Sequence, residues 1–159
     1  MADLTRAPVA RLSRRGSETT PLREFLMFVV GGELFGIELT GIKEILSPPP
    51  ITPVPRSSRE VLGVCSVRGL LVTVLCLRRK LKLAETVTNR RSRILLTTSS
   101  SGETLGLLVD EVRQVVRLQA SEIEAAAALG SDASEHVVGV ARPPGSFVVL
   151  LDLRSILPS

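Results

Sequence analysis

Two apolar runs, Val64–Val67 and Leu70–Leu77, stand on either side of a single Arg68-Gly69 pair. Gly69 tolerates backbone angles that a residue with a Cβ resists, so the stretch predicts a hairpin with a tight reversal at this pair. The flanking strands bury their side chains and the arginine is thrown outward at the tip. By itself such a tip is a solvated charge with no specific partner. What changes its meaning is the rest of the chain.

A first strand pair is predicted from Glu24–Val30 and Leu34–Glu38, turning at Gly31-Gly32. Both alternating faces of the first strand, Phe25/Met27/Val29 and Leu26/Phe28/Val30, are apolar, so both must be covered. Thr40 is placed to cap a short helix over Gly41–Leu46, with Leu39, Ile42 and Leu46 on one face. Pro48–Pro50 stop it, Ile51–Val54 is extended, and Ser57–Leu62 is expected as a helical turn. After the hairpin come a short helix near Arg78–Leu83 and a connector over 84–92. Strands follow at Arg93–Thr98, Thr104–Val109 and Glu111–Leu118, then a helical turn at Ser121–Ile123 and a loop over 124–134. A last hairpin, Val137–Arg142 and Phe147–Asp152, turns at Pro143-Pro144-Gly145 before a helical turn at Leu153–Leu157.

The chain also repeats itself. Gly32-Glu33-Leu34-Phe35-Gly36-Ile37 aligns with Gly102-Glu103-Thr104-Leu105-Gly106-Leu107, and at the same shift Ile42 falls on Val112. Further on, Val61-Leu62-Gly63-Val64 aligns with Val137-Val138-Gly139-Val140, and Leu75-Cys76-Leu77-Arg78 with Leu151-Asp152-Leu153-Arg154. Two blocks recurring in one order predict two similar β-units in tandem, curled so as to hide their edges. The halves differ where Arg68 stands, since the matching turn carries Pro143 and Pro144, and Glu44 faces Gln114.

Composition narrows the chemistry. The 159 residues fit one domain or two small ones packed together. Aromatics make up only 3% and there is no Trp or Tyr, so the core is aliphatic. The net charge of +4 is clustered: arginines in the first 23 residues, Arg78/Arg79/Lys80/Lys82, and Arg90/Arg91/Arg93. Without aromatic platforms or a helix-turn-helix or zinc-finger spacing, nucleic-acid binding has little support, and the clusters are read as solvated loops and helix ends. Residues 1–22 are expected as a flexible basic arm, ahead of a folded unit over 23–159.

Cys65 and Cys76 lie inside apolar runs and behave as small buried residues of a reducing compartment; with one histidine, His136, they do not make a zinc set. A lone His136 gives a catalytic triad little support. Asp110-Glu111 is an adjacent carboxylate pair whose members point to opposite faces of a strand, which is poor geometry for shared proton chemistry. No apolar stretch reaches the length of a membrane span of about 18 residues. A small hydrolase, a nucleic-acid binder and a protein-interaction module stay open on the residues alone, the last favoured.

In its ordered set of blocks the chain resembles the CheW-type coupling proteins of bacterial chemotaxis. The blocks are EFLMFVVGGELFGIELTGIKEIL at 24–46, ITPVP at 51–55, VLGVCSVRG at 61–69, GLLVDEV at 106–112 and VVLLDLRSIL at 148–157. The resemblance implies an all-β fold with short helices: two intertwined five-stranded β-barrel subdomains of the Src-homology type. It implies no catalysis, no cofactor and no metal. It implies a cytoplasmic adaptor that joins the cytoplasmic tips of chemoreceptors to the regulatory domain of a CheA-type histidine kinase, reaching receptor arrays through its partners without entering the membrane. The alternative role is a kinase-regulatory module that does not bridge receptors. Glu44 matches the family's acidic position after the first strand pair, Ile42 the apolar residue two before it, and Arg68 the arginine of an Asn-Leu-Arg-Gly turn. With Val67 and Gly69 these are the expected partner-binding residues. The chain departs from the pattern at Ser66, where Asn is usual, at Cys76, where Asp is common, and in the run Pro48–Pro50.

Overall fold

The computed structural model describes residues 21–84, 88–126 and 135–158. Among these residues, eleven strands fall into two sheets. The first sheet takes β1 (Arg23–Val30) and β2 (Glu33–Glu38) from the start of the chain. From its end come β8 (Glu111–Leu118), β9 (Ile123–Ala125), β10 (Val137–Ala141) and β11 (Val148–Leu151). Its order is β8-β1-β2-β11-β10-β9. The second takes the middle of the chain: β3 (Glu44–Leu46), β4 (Val61–Val67), β5 (Leu70–Cys76), β6 (Arg93–Thr98) and β7 (Thr104–Val109), ordered β3-β6-β7-β5-β4. Two four-residue helices, α1 (Leu77–Lys80) and α2 (Leu153–Ile156), follow β5 and β11.

The repeat explains this interlocking. Each sheet combines the opening strand pair of one repeat with the closing hairpin of the other. They join through parallel ladders, β11 on β2 and β5 on β7, while all other pairs are antiparallel. The repeated glycines sit at these junctions. A Cβ on Gly36 would stand 2.9 Å from Leu150 Cδ2, and one on Gly106 2.7 Å from Ile94 Cγ2. At both places a side chain crosses the strand where only glycine leaves room.

Three apolar clusters result. Phe25, Met27, Val148 and Leu150 fill the first sheet's inner face, and Cys65, Val72, Val74, Ile94 and Leu96 fill the second's. The opposite faces of the same strands meet between the sheets, where Leu26, Phe28, Val30, Leu75, Leu95, Leu107 and Leu151 form a shared core closed by Leu77 and Ile156. A strand apolar on both faces is therefore covered on both, as its sequence requires.

Three expectations need correction. The helix over Gly41–Leu46 is absent. A 3-10 turn at Leu39–Gly41 leads into β3, which pairs antiparallel with β6, Glu44 opposite Leu96. The amide of Lys43 already donates to Leu96 O at 2.7 Å, so the free edge of β6 overrides a weak helical preference. The helical turn expected over Ser57–Leu62 shrinks to one hydrogen-bonded turn, Val61 N donating to Ser58 O at 3.0 Å, which leads directly into β4. Finally, the first sheet has six strands rather than five, because Ile123–Ala125, expected as the end of a helical turn and the start of a loop, pairs with β10. Its counterpart before β4 is a single bridge between Thr52 and Val64. Prolines at 48, 49, 50 and 53 remove the amides that a longer ladder would need. The expected arm falls, except for Pro21 and Leu22, outside the described residues, as does most of the 124–134 loop.

Because the shared core belongs to both sheets, Leu107→Ala should destabilise the protein by about 2–5 kcal/mol, as a cavity at a fully buried leucine does. Denaturant unfolding should remain one transition for probes placed in either sheet. Two separated transitions would show that the sheets fold independently.

Candidate functional site

At the β4–β5 tip, Val67 pairs with Leu70 and the turn between them has two residues. Both are left-handed: Arg68 at φ 52° and Gly69 at φ 83°. This is the backbone that a two-residue hairpin favours, and it suits Gly69. Arg68 carries a Cβ in a region that costs such residues about 1–2 kcal/mol. Gly69 announced a reversal in the sequence; the strained arginine beside it carried no such signal.

The strain accompanies a defined contact. Arg68 Nη1 donates to Glu44 Oε1 at 2.8 Å and Nη2 donates to Glu44 Oε2, a bidentate ion pair. Glu44 lies on β3 and Arg68 beside β4, the two end strands of the five-stranded sheet. Leu46 of β3 and Leu62 and Val67 of β4 pack on the same cluster, so the pair lies across the seam where the sheet curls on itself. Glu44 and Arg68, distant in the sequence, are thus one unit, brought together because Glu44 lies on a strand rather than a helix.

The other expected residues divide. Val67 is half-buried against the second sheet's core and holds the tip in place. Ile42 is half-buried on the core shared by the sheets, so its contacts in this chain are internal. Past Gly69, Leu70 and Leu71 are 66% and 74% exposed, unusual for adjacent leucines in a strand. They leave bare apolar area beside a directional charged pair.

Sequence reasoning missed a second ion pair. Arg78 Nε donates to Asp110 Oδ1 at 3.1 Å and Nη2 to Oδ2 at 2.5 Å, while Asp110 Oδ2 also accepts from Gly31 N at 2.8 Å. Far from being a solvated helix end, Arg78 clamps α1 to the β7–β8 junction and the β1–β2 turn. Its cluster of basic neighbours hid it, since spacing cannot show which of several arginines is engaged. Asp110 and Glu111 do diverge as expected: Glu111 turns to Arg113 at 3.0 Å.

Cys65 and Cys76 are free and buried, and burial pushes the Cys65 thiol up. Cys76 precedes α1 with the same backbone angles, φ −92° and ψ 108°, as Asp152 before α2. Only Asp152 caps its helix, accepting from Arg154 N at 3.1 Å. His136 is buried, its Nδ1 hydrogen-bonded to Ser155 Oγ and its Nε2 3.8 Å from a Glu135 carboxylate oxygen. Among the described residues no group of three or more His, Cys, Asp or Glu could hold a metal ion, and no helix is long and apolar enough to cross a membrane.

Two interlocked sheets that present a strained, ion-paired hairpin tip beside bare leucines form a β-rich scaffold of two paired units. The comparisons with known proteins make it specific. Residues 24–159 match the model of the CheW-like domain, and the chain belongs to that family. It is 27% identical over 154 residues to the chemotaxis protein CheW of Klebsiella aerogenes, covering 96% of this chain and 92% of that protein. It is 29% identical over 130 residues to protein FrzA of Myxococcus xanthus, covering 82% and 81%. Among solved structures it resembles the scaffolding protein TtCheW of Thermoanaerobacter tengcongensis, with a TM-score of 0.77 at 21% identity over 86% of this chain and 93% of that one. That likeness shows the same fold of paired Src-homology-type barrels.

The two bonds from Arg68 hold the Glu44 carboxyl below the ordinary glutamate value, and Glu44 in turn raises Arg68. A depressed folded-state value means that the pair stabilises the fold above the ordinary carboxylate range. That contribution is lost as pH falls through the lowered value. Carbon-detected NMR titration should place the Glu44 midpoint below that of free glutamate, and Arg68→Ala should return it to the ordinary value. An unshifted midpoint in the parent protein would mean that the pair does not form in solution.

Proposed function

We propose that this chain is a non-catalytic adaptor coupling chemoreceptors to a CheA-type histidine kinase, and that the β4–β5 tip with Glu44 is its partner-binding site. The reading is supported by family membership over nearly the whole folded unit. The observation that carries the site is the Arg68–Glu44 fork beside exposed Leu70 and Leu71. Interfaces concentrate their energy in a few anchors, and arginine is favoured because its planar fork makes several directed bonds. Here one carboxylate already orients the fork and leaves the far side of the guanidinium open, with its side chain 69% exposed. Pre-orienting an anchor lowers the entropy cost of docking, and the leucines beside it supply area that excludes water.

In this reading the protein works in the cytoplasm and meets the membrane only through receptors. Barrel-to-barrel contact with the kinase's regulatory domain and contact with receptor tips place both partners within reach of each other. Nothing in the role needs a cofactor, a metal or a reaction.

Arg68→Ala should leave the melting temperature within a few degrees of the parent, because an exposed surface pair contributes little to stability. It should weaken partner binding by roughly tenfold or more. The readout is receptor-dependent phosphorylation in a reconstitution with a receptor fragment and kinase, together with co-sedimentation on receptor-bearing membranes. Parent-level phosphorylation by the variant would remove Arg68 from the site. A parent protein that binds kinase yet never sediments with receptors would be the regulatory module instead. Glu44→Lys should also weaken binding, and the Glu44→Arg/Arg68→Glu exchange should restore the ion pair without restoring coupling if the side chains themselves touch partners. Full recovery of coupling by the exchange would assign the pair to hairpin shape alone.

A further inference from the structure

The two repeats place α1 and α2 equivalently, and with them Arg78 and Arg154. At the shift that relates the strand pairs, Asp110 corresponds to Thr40. The packing bears out the equivalence: a Cβ on Gly41 would stand 2.5 Å from Leu153 Cδ2, so the 3-10 turn after β2 abuts α2 as the β7–β8 junction lies against α1. At the first junction Arg78 is fully occupied, its guanidinium forked onto Asp110 and also donating to Ala84 O. At the second the carboxylate is missing, and a cleft of about 820 Å³ opens there, lined by Thr40, Lys43, Ser99, Ser100, Asp152 and Arg154 among others.

The charges in this cleft are unevenly matched. Arg23 and Glu38 satisfy each other through two bonds of 3.1 and 2.9 Å, and Asp152 Oδ1 is engaged by the Arg154 amide. The side chains of Lys43 and Arg154 make no ion pair among the described residues. Both are exposed. An arginine set on its helix where its twin binds a carboxylate, in a cleft also lined by a lysine and by hydroxyls, is complementary to one more carboxylate.

We propose that this cleft binds the carboxylate of an acidic side chain from a partner polypeptide, which takes at Arg154 the place that Asp110 takes at Arg78. The internal template is a protein carboxylate delivered by a neighbouring turn, and the cleft is open to receive one from another chain. The site is separate from the β4–β5 tip and does not depend on the reading given to that tip.

The test is an NMR titration of the full chain with a capped pentapeptide bearing one central glutamate. The same peptide with glutamine and free succinate serve as further arms. The glutamate peptide should produce saturable shifts at the amides of Gly41, Lys43 and Ser100 that the glutamine peptide does not. Arg154→Ala should weaken that binding by roughly tenfold, the scale of losing a bidentate charged contact. Thr40→Asp, which supplies the missing carboxylate from within, should weaken it at least as much. Equal shifts from the two peptides, no saturation, or parent-level binding by both variants would overturn the proposal. Tighter binding of succinate than of the glutamate peptide would overturn it too, because the site would then belong to small dicarboxylates.

Discussion

Strands with two apolar faces cannot stand at the surface of a single layer, and the architecture follows from hiding both faces at once. β1 sends Phe25 and Met27 into one cluster and Leu26, Phe28 and Val30 into another, and β6 divides Ile94 and Leu96 from Leu95 in the same way. Each sheet curls over its own cluster, and the two then close on the third. Removing that apolar area from water is the dominant favourable term in such a fold. With so few aromatics, the shared core is built mainly from branched aliphatic chains, Phe28 and Phe35 stacking within it as the ring pair.

Exchange of hairpins between the repeats follows from this need. If each repeat folded only on itself, the outer faces of β1 and β6 would have no common partner. Crossing over lets β11 lie parallel to β2 and β5 parallel to β7, and it commits both halves to a single interior. The scaffold is nearly symmetric and its charged surface groups are not. Arg68 and Glu44 form an exposed fork in one half, where the other carries Pro144 and Gln114. Asp110 binds Arg78 in one half, where the other has Thr40 and an open cleft beside Arg154. A duplicated frame can keep its core and diverge at its turns, because turns lie outside the packing that fixes the frame.

Most strands were legible from alternation and turn residues, including β1, β6, β7 and β8, because burial on a pleated strand imposes a period that survives in the sequence. The misses share a cause. Thr40 and Lys43-Glu44 suit a helical turn locally, yet β6 presents an open edge at that point and a β-ladder forms there. Ile123–Ala125 is too short to show a period and becomes a strand only beside β10. The site was half legible: Arg68 and Glu44 were picked out through family resemblance, but their union was not visible between residues 24 positions apart. The Arg78–Asp110 clamp was hidden for the same reason, since its members are 32 positions apart.

Alternating apolar residues, punctuating glycines and an ordered repeat were enough to determine a β-rich, two-unit aliphatic protein, because each reports a local constraint on the backbone. Which hairpin crosses to which sheet, which arginine finds a carboxylate and which is left facing a cleft were decided only in three dimensions. Those outcomes rest on distances between residues far apart in the chain, and no local pattern encodes such distances.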